Sequence, residues 1–190
     1  TIVQEVIMNN LLLVLLIIFI VAFYFWAIMP HLDRGRRETC LKFAAWDFAH
    51  RGLWDMDQKI PENSFPAFER AIRQKTAIEL DVRLTKDRKL VVIHDNSLRR
   101  LCGTPGLVEQ KNYRELSTLR LCGTEEGIPL LSQVLHTIRG RVPLLIEIKA
   151  DTDDISICSY LARELEFYTG DYMIQSFNPL ALRWFHKNAP

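Results

Sequence analysis

The residues able to do chemistry in this chain sit on stretches that otherwise alternate apolar side chains. In Ala77-Ile78-Glu79-Leu80-Asp81-Val82-Arg83-Leu84-Thr85, Glu79 and Asp81 share one face and Ile78, Leu80 and Val82 the other. Side chains at i and i+2 of a strand point the same way, roughly 6–7 Å apart. Two carboxylates so placed repel each other and resist burial, so a positive group belongs between or above them. The plain alternative is a solvated acidic face on an edge strand. Glu147 adds a third carboxylate, on a stretch where Leu145, Glu147 and Lys149 share a face. Three carboxylates facing one point suit a hard divalent cation, Mg²⁺ or Ca²⁺, and not a soft metal. His50 and His94 suit a general acid and a general base. Arg51 and Lys149 suit a phosphate. Together these types predict metal-assisted hydrolysis of a phosphate ester. Set against that are plainer roles: core histidines, a Glu147–Lys149 ion pair, and for Glu62 a charge favouring a helix dipole.

The elements that must position these groups alternate. Phe43 to Ala49 reads as a strand running into His50-Arg51-Gly52. Pro61-Glu62-Asn63-Ser64 opens a helix with Asn63 as cap and Phe65, Phe68 and Ile72 as its buried stripe. The acidic strand comes next, then the polar turn Lys86-Asp87-Arg88-Lys89. Leu90 to Ile93, wholly apolar, reads as a buried strand ending in His94-Asp95. Residues 96–128 carry loop signals and one helical turn, Tyr113 to Leu116. A helix over 130–139, a strand over 143–149, a helix capped by Asp153 or Asp154, a strand over 172–177 and a helix opened by Asn178-Pro179 complete the order. Strand–helix alternation predicts parallel βα units. Polar residues at the C-terminal ends of strands predict a (β/α)₈ barrel. A doubly wound sheet also uses that edge, but the first strand lacks its Gly-rich loop.

The 190 residues carry a net charge of +1 and are 48% apolar. No basic stripe with interleaved aromatics points to nucleic acid. Cys40, Cys102, Cys122 and Cys158 have no CxxC spacing, which predicts free thiols rather than zinc or a disulfide framework. Leu11 to Met29 has no charged side chain, and 19 residues span about 28 Å as a helix, near the hydrocarbon thickness of a bilayer. Tyr24 and Trp26 lie where interfacial aromatics belong. A basic n-region and a small-residue cleavage site are missing, which favours an anchor over a signal peptide. Arg34, Arg36 and Arg37 place the chain after residue 30 in the cytoplasm by the positive-inside bias. The expected organisation is a tail over 1–10, a transmembrane helix over 11–29, a linker over 30–42 and a catalytic domain over 43–190.

The chain resembles the glycerophosphodiester phosphodiesterase family, in the manner of its membrane-anchored bacterial members. The matching pieces are Ala49-His50-Arg51-Gly52, Pro61-Glu62-Asn63-Ser64, Glu79-Leu80-Asp81-Val82, Leu84-Thr85-Lys86-Asp87, Val91-Val92-Ile93-His94-Asp95, Glu147-Ile148-Lys149 and Gln175-Ser176-Phe177. The resemblance implies a TIM barrel that cleaves glycerophosphodiesters to sn-glycerol 3-phosphate and an alcohol. It implies Glu79, Asp81 and Glu147 as metal ligands, His50 and His94 as the acid–base pair, and Arg51 and Lys149 on the phosphate. Glu62 and Gln175 would line the site. It also implies attack by a substrate glycerol hydroxyl through a cyclic phosphate. The alternatives are a related phosphodiesterase acting on lysophospholipids or phosphoinositides, and an inactive membrane-anchored fragment. About five of eight βα units are legible, and Leu130 stands where the family usually has a Thr or Ser cap. The expectation is a copy incomplete at its C-terminus, lacking about 70–100 residues of an active barrel.

Overall fold

A computed structural model describes residues 2–28, 34–151 and 154–189. The chain forms two compact units, 1–44 and 45–190. In the first, α1 (Ile2–Ile28) is a continuous helix whose segment Ile7–Tyr24 is long and apolar enough to cross a membrane. A second helix, α2 (Arg34–Ala44), occupies most of the stretch expected to be a linker; residues 29–33 lie outside the described residues. Phe43 and Ala44 are therefore helical. The strand expected from Phe43 is only β1 (Phe48–Ala49).

The second unit is a βα sheet. Its further elements are α3 (Phe65–Arg73), β2 (Ala77–Leu84), β3 (Leu90–Val92), α4 (Arg99–Cys102), α5 (Tyr113–Leu116), α6 (Leu131–Ile138), β4 (Leu144–Ile148), α7 (Ile157–Leu165), β5 (Tyr172–Gln175) and α8 (Pro179–Asn188). Strands β1, β2, β4 and β5 are parallel and adjacent in that order. β3 departs from the expected parallel run: it pairs antiparallel with the second half of β2, Val82 opposite Val92 and Leu84 opposite Leu90. The cause is the short connection Thr85–Lys89, which closes a hairpin; a parallel crossover needs a dozen or more residues. Arg88, at φ 62°, and the bond from Thr85 N–H to Lys89 C=O make that turn.

Both faces of β3 are covered, as its unbroken apolar run predicts. Leu90 and Val92 join the main core with Phe68, Ile78, Leu80, Leu144 and Ile146. Val91 and Ile93 join a second, smaller core with Leu98, Leu101, Leu116 and Leu121. Fully burying each such side chain contributes about 1.5–3 kcal/mol. The second core explains the stretch 96–128, whose short helices and 3₁₀ turns wrap around β3 instead of forming a βα unit.

Helix ends differ from expectation at α3 and α7. α3 starts after Ser64, not Asn63, with Pro66 in its first turn. α7 starts after Ser156, whose N–H donates to Asp154; Asp153 lies outside the described residues. At α6, Leu130 has no side-chain acceptor, and Gln133 Oε1 takes its N–H at 3.3 Å. Asn178 caps α8 as expected, accepting from Leu180 N–H at 2.9 Å.

Candidate active site

Parallel register places Asp81 of β2 directly beside Glu147 of β4, and Glu147 beside Gln175 of β5. Partners in register share a face, so Glu79, two residues before Asp81, joins them. One oxygen from each of Glu79, Asp81 and Glu147 lies within 4.8 Å of the others, and all three residues are buried. The solvated acidic face is thereby excluded. Burial, then repulsion from Asp81 and Glu147, pushes the Glu79 carboxyl up to about 7, against the opposing pull of the Arg51 amide.

Positive groups surround this cluster. Lys149 Nζ is 2.6 Å from Glu147 Oε1 and 3.1 Å from Asp81 Oδ1. Arg51 Nε is 3.4 Å from Asp81 Oδ2. Neither contact to Asp81 has hydrogen-bond geometry, so Asp81 Oδ1 and Arg51 Nε are buried polar atoms without a hydrogen bond. Such atoms are costly unless something else satisfies them. Three hard oxygen donors, one of them unsatisfied, fit a metal ion.

The loop after β1 is built to approach β2 closely. Arg51 and Gly52 both take left-handed backbone, at φ 60° and 79°. A Cβ at Gly52 would lie 2.9 Å from Ala67 Cβ of α3, so only glycine fits there. The turn aims the Arg51 N–H at Glu79 Oε2, 2.8 Å away. Asn63, also left-handed at φ 55°, returns its N–H to Arg51 C=O and donates from Nδ2 to Asp81 Oδ2 at 2.9 Å. Glu62, buried beside it, accepts from Arg51 Nη1 at 2.8 Å.

The hairpin brings His94 back alongside Asp81, whose C=O accepts the Ile93 N–H. Buried Arg83 fixes the His94 main chain, donating from Nε to His94 C=O at 2.7 Å and from Nη1 to Asp151 at 2.6 Å. His94 Nδ1 lies 2.7 Å from Asp95 Oδ1. His50 is exposed at the end of β1.

A cavity of about 430 Å³ gathers His50, Arg51, Glu79, His94, Glu147 and Lys149, with Gln175 and Phe177 on its β5 side. Asp81 lies beneath Lys149 and Arg51, and Glu62 is tied to the cavity through Arg51. All nine residues singled out in the sequence thus belong to one region. Ser176 instead serves the fold, donating to Ile148 C=O at 2.8 Å. His136 and His186, which stand outside any motif, are exposed, and His31 lies outside the described residues. Sequence reasoning missed Asn63, Arg83, Asp95 and Arg100. Asp95 stands inside a matching motif without a role, and Asn63 is read there as a helix cap instead of a partner of Asp81. Arg83 is the unexplained charge on a buried strand, and that was its available signal.

Acids, histidines and basic groups gathered where parallel strands end define a site of the (β/α)₈-barrel class. The glycerophosphoryl diester phosphodiesterase family matches residues 50–190, and the chain belongs to that family. It is 35% identical to a glycerophosphodiester phosphodiesterase of Bacillus altitudinis over 158 residues, 75% of this chain and 62% of that protein. It resembles the crystal structure of a glycerophosphodiester phosphodiesterase from Agrobacterium tumefaciens with a TM-score of 0.65 and 32% identity, over 76% of this chain and 63% of the other. It resembles an Oleispira antarctica phosphodiesterase, solved with the product sn-glycerol-3-phosphate, with a TM-score of 0.72 and 25% identity, over 79% and 64%. The chain spans 62% and 61% of the length of the first two curated relatives it matches.

Proposed function

We propose that this chain carries the site of a metal-dependent phosphodiesterase that hydrolyses glycerophosphodiesters to sn-glycerol 3-phosphate and an alcohol. The observation that carries the reading is the trio Glu79, Asp81 and Glu147, buried within 4.8 Å of one another beside two histidines and two cations. Those three carboxylates would hold Mg²⁺ or Ca²⁺, which when bound would supply positive charge for the phosphate. Arg51 and Lys149 hold the phosphate from the protein side. Both side chains line the cavity, where their positive charge faces a bound phosphate. His50 and His94 move the protons: one takes it from the attacking hydroxyl, the other gives it to the departing alcohol oxygen. Gln175 and Glu62 line and support the site.

Residues 11–29 serve as a membrane anchor and 43–190 as the catalytic domain, on the cytoplasmic side by the charge of Arg34, Arg36 and Arg37. The apolar length of α1 also supports a second reading, in which the diester is a lysophospholipid.

The test is release of sn-glycerol 3-phosphate from glycerophosphocholine by the full chain, with lysophosphatidylcholine in parallel. Excess EDTA is expected to stop turnover, and Mg²⁺ or Ca²⁺ to restore it. No turnover of either diester at saturating metal overturns the reading. Recovery with Zn²⁺ alone overturns the all-oxygen metal assignment.

A further inference from the structure

Arg100 contributes to neither apolar core, and its side chain is half exposed, yet its donors bind two acids at once. Nη1 and Nη2 grip the two oxygens of Glu62, at 2.9 and 2.8 Å. Nε and Nη2 grip the two oxygens of Asp95, at 2.6 and 2.9 Å. Each acid leads to a group of the site. Glu62 Oε1 also accepts from Arg51 Nη1, and Asp95 Oδ1 meets His94 Nδ1.

Both acids are charged. Arg100 first, then His94, hold Asp95 well below the usual carboxylate range against its partial burial. Burial raises Glu62, but Arg100 and Arg51 together outweigh it and leave it lowered. A charged Asp95 only accepts, so His94 Nδ1 carries the hydrogen and Nε2 is left to exchange a proton with substrate. Glu62 without Arg100 is a buried carboxylate held by Arg51 alone. Arg51, which already meets Glu62 through Nη1 and Asp81 through Nε, then shares Glu62 with no second donor to fix that carboxylate. A planar fork that satisfies two carboxylates together is a property of arginine that lysine lacks.

We propose that Arg100 is a positioning residue that sets both halves of the site, Arg51 through Glu62 and His94 through Asp95. The proposal rests on the phosphodiesterase reading above. In the full chain at saturating divalent metal, Arg100→Met is expected to lower kcat about 100-fold on glycerophosphocholine, with KM within about threefold of the parent. Arg100→Lys, which keeps the charge but loses the fork, is expected to recover about a tenth of the parent rate. Arg99→Met, on the same short helix, controls for loss of a surface charge and is expected to match the parent.

A second readout needs no turnover. In the ¹⁵N-histidine-labelled chain, His94 is expected to show one tautomer, protonated on Nδ1, and Arg100→Met, which releases the two-point hold on Asp95 and lets that carboxylate turn off the ring, to mix the two. An unchanged kcat, a rise in KM alone, or an unchanged His94 tautomer in Arg100→Met overturns the proposal. A parent chain without turnover overturns the phosphodiesterase reading instead, and the tautomer then decides on Arg100. If Arg100→Met lacks the parent's circular dichroism, Arg100→Lys is read on both measurements by the same criteria.

Discussion

Asn63 Nδ2 donates to Asp81 Oδ2 at 2.9 Å, and among the described residues this neutral amide gives the fully buried Asp81 carboxylate its one side-chain hydrogen bond. Asn63→Ala removes the donor and leaves an alanine in left-handed backbone. The expected cost is about 1–3 kcal/mol of stability, the penalty of a buried acceptor left unmade. Metal affinity is expected to fall about 10–100-fold, as when an outer partner of a ligand is lost. Thermal melts and a calorimetric Mg²⁺ titration check both values.

Glu79→Gln separates what the acidic cluster does for the fold from what it does for an ion. Burial and the neighbouring Asp81 and Glu147 charges disfavour a charge on Glu79, and a glutamine oxygen can still accept the Arg51 N–H. The variant is expected to melt at or above the parent temperature in EDTA. Added Mg²⁺ or Ca²⁺ should raise the melting temperature of the parent by ligand linkage and leave the variant unmoved. Equal metal stabilisation of both chains would remove Glu79 from the ligand set.

Gly52→Ala meets two obstacles, the backbone at φ 79° and Ala67 Cβ at 2.9 Å. Strained backbone alone costs of order 1–3 kcal/mol. The expected result is a melting temperature lower by several degrees, with activity reduced further than stability because the Arg51 amide moves off Glu79. Differential scanning calorimetry beside a rate assay tests this.

Acid should unfold Arg100→Met earlier than the parent. The folded-state pKa of Asp95 is lowered, so its contribution to stability is present above the unfolded carboxylate value, near 3.9, and is lost as pH falls toward the lower folded value. Removing Arg100 raises the folded value and narrows that window. Acid titration followed by circular dichroism should place the variant's midpoint at higher pH, and identical midpoints would contradict it.

The carboxylate pair was legible because alternation on β2 puts Glu79 and Asp81 on one face whatever surrounds the strand. Glu147 was legible too, because buried strands rarely carry charge without a use. The direction of β3 was not legible in its own residues, since Leu90-Val91-Val92-Ile93 is equally apolar either way round. The signal lay in the connection, where Thr85 to Lys89 is too short for a crossover. Asn63 carries the letter of a helix cap, and only the left-handed backbone turns its amide toward Asp81 instead. Arg100 lay hidden because its partners, Glu62 and Asp95, are 38 and 5 residues away, on separate loops. No periodicity links such positions.

The division of β3 between two cores means that the site is carried by side chains resting on both. Glu79, Asp81 and Glu147 ride on β2 and β4 over the larger one, while Asp95 and Arg100 flank Leu98, and Leu98 and Leu101 are buried in the smaller. A small core opens at lower free energy than the whole domain. Amides of residues 98–121 are therefore expected to exchange with deuterium sooner than those of β2 and β4. An opening of that kind would release the clamp on His94 and leave the carboxylates in place. Warming would then silence the protein before it melts, and cooling would restore it without refolding.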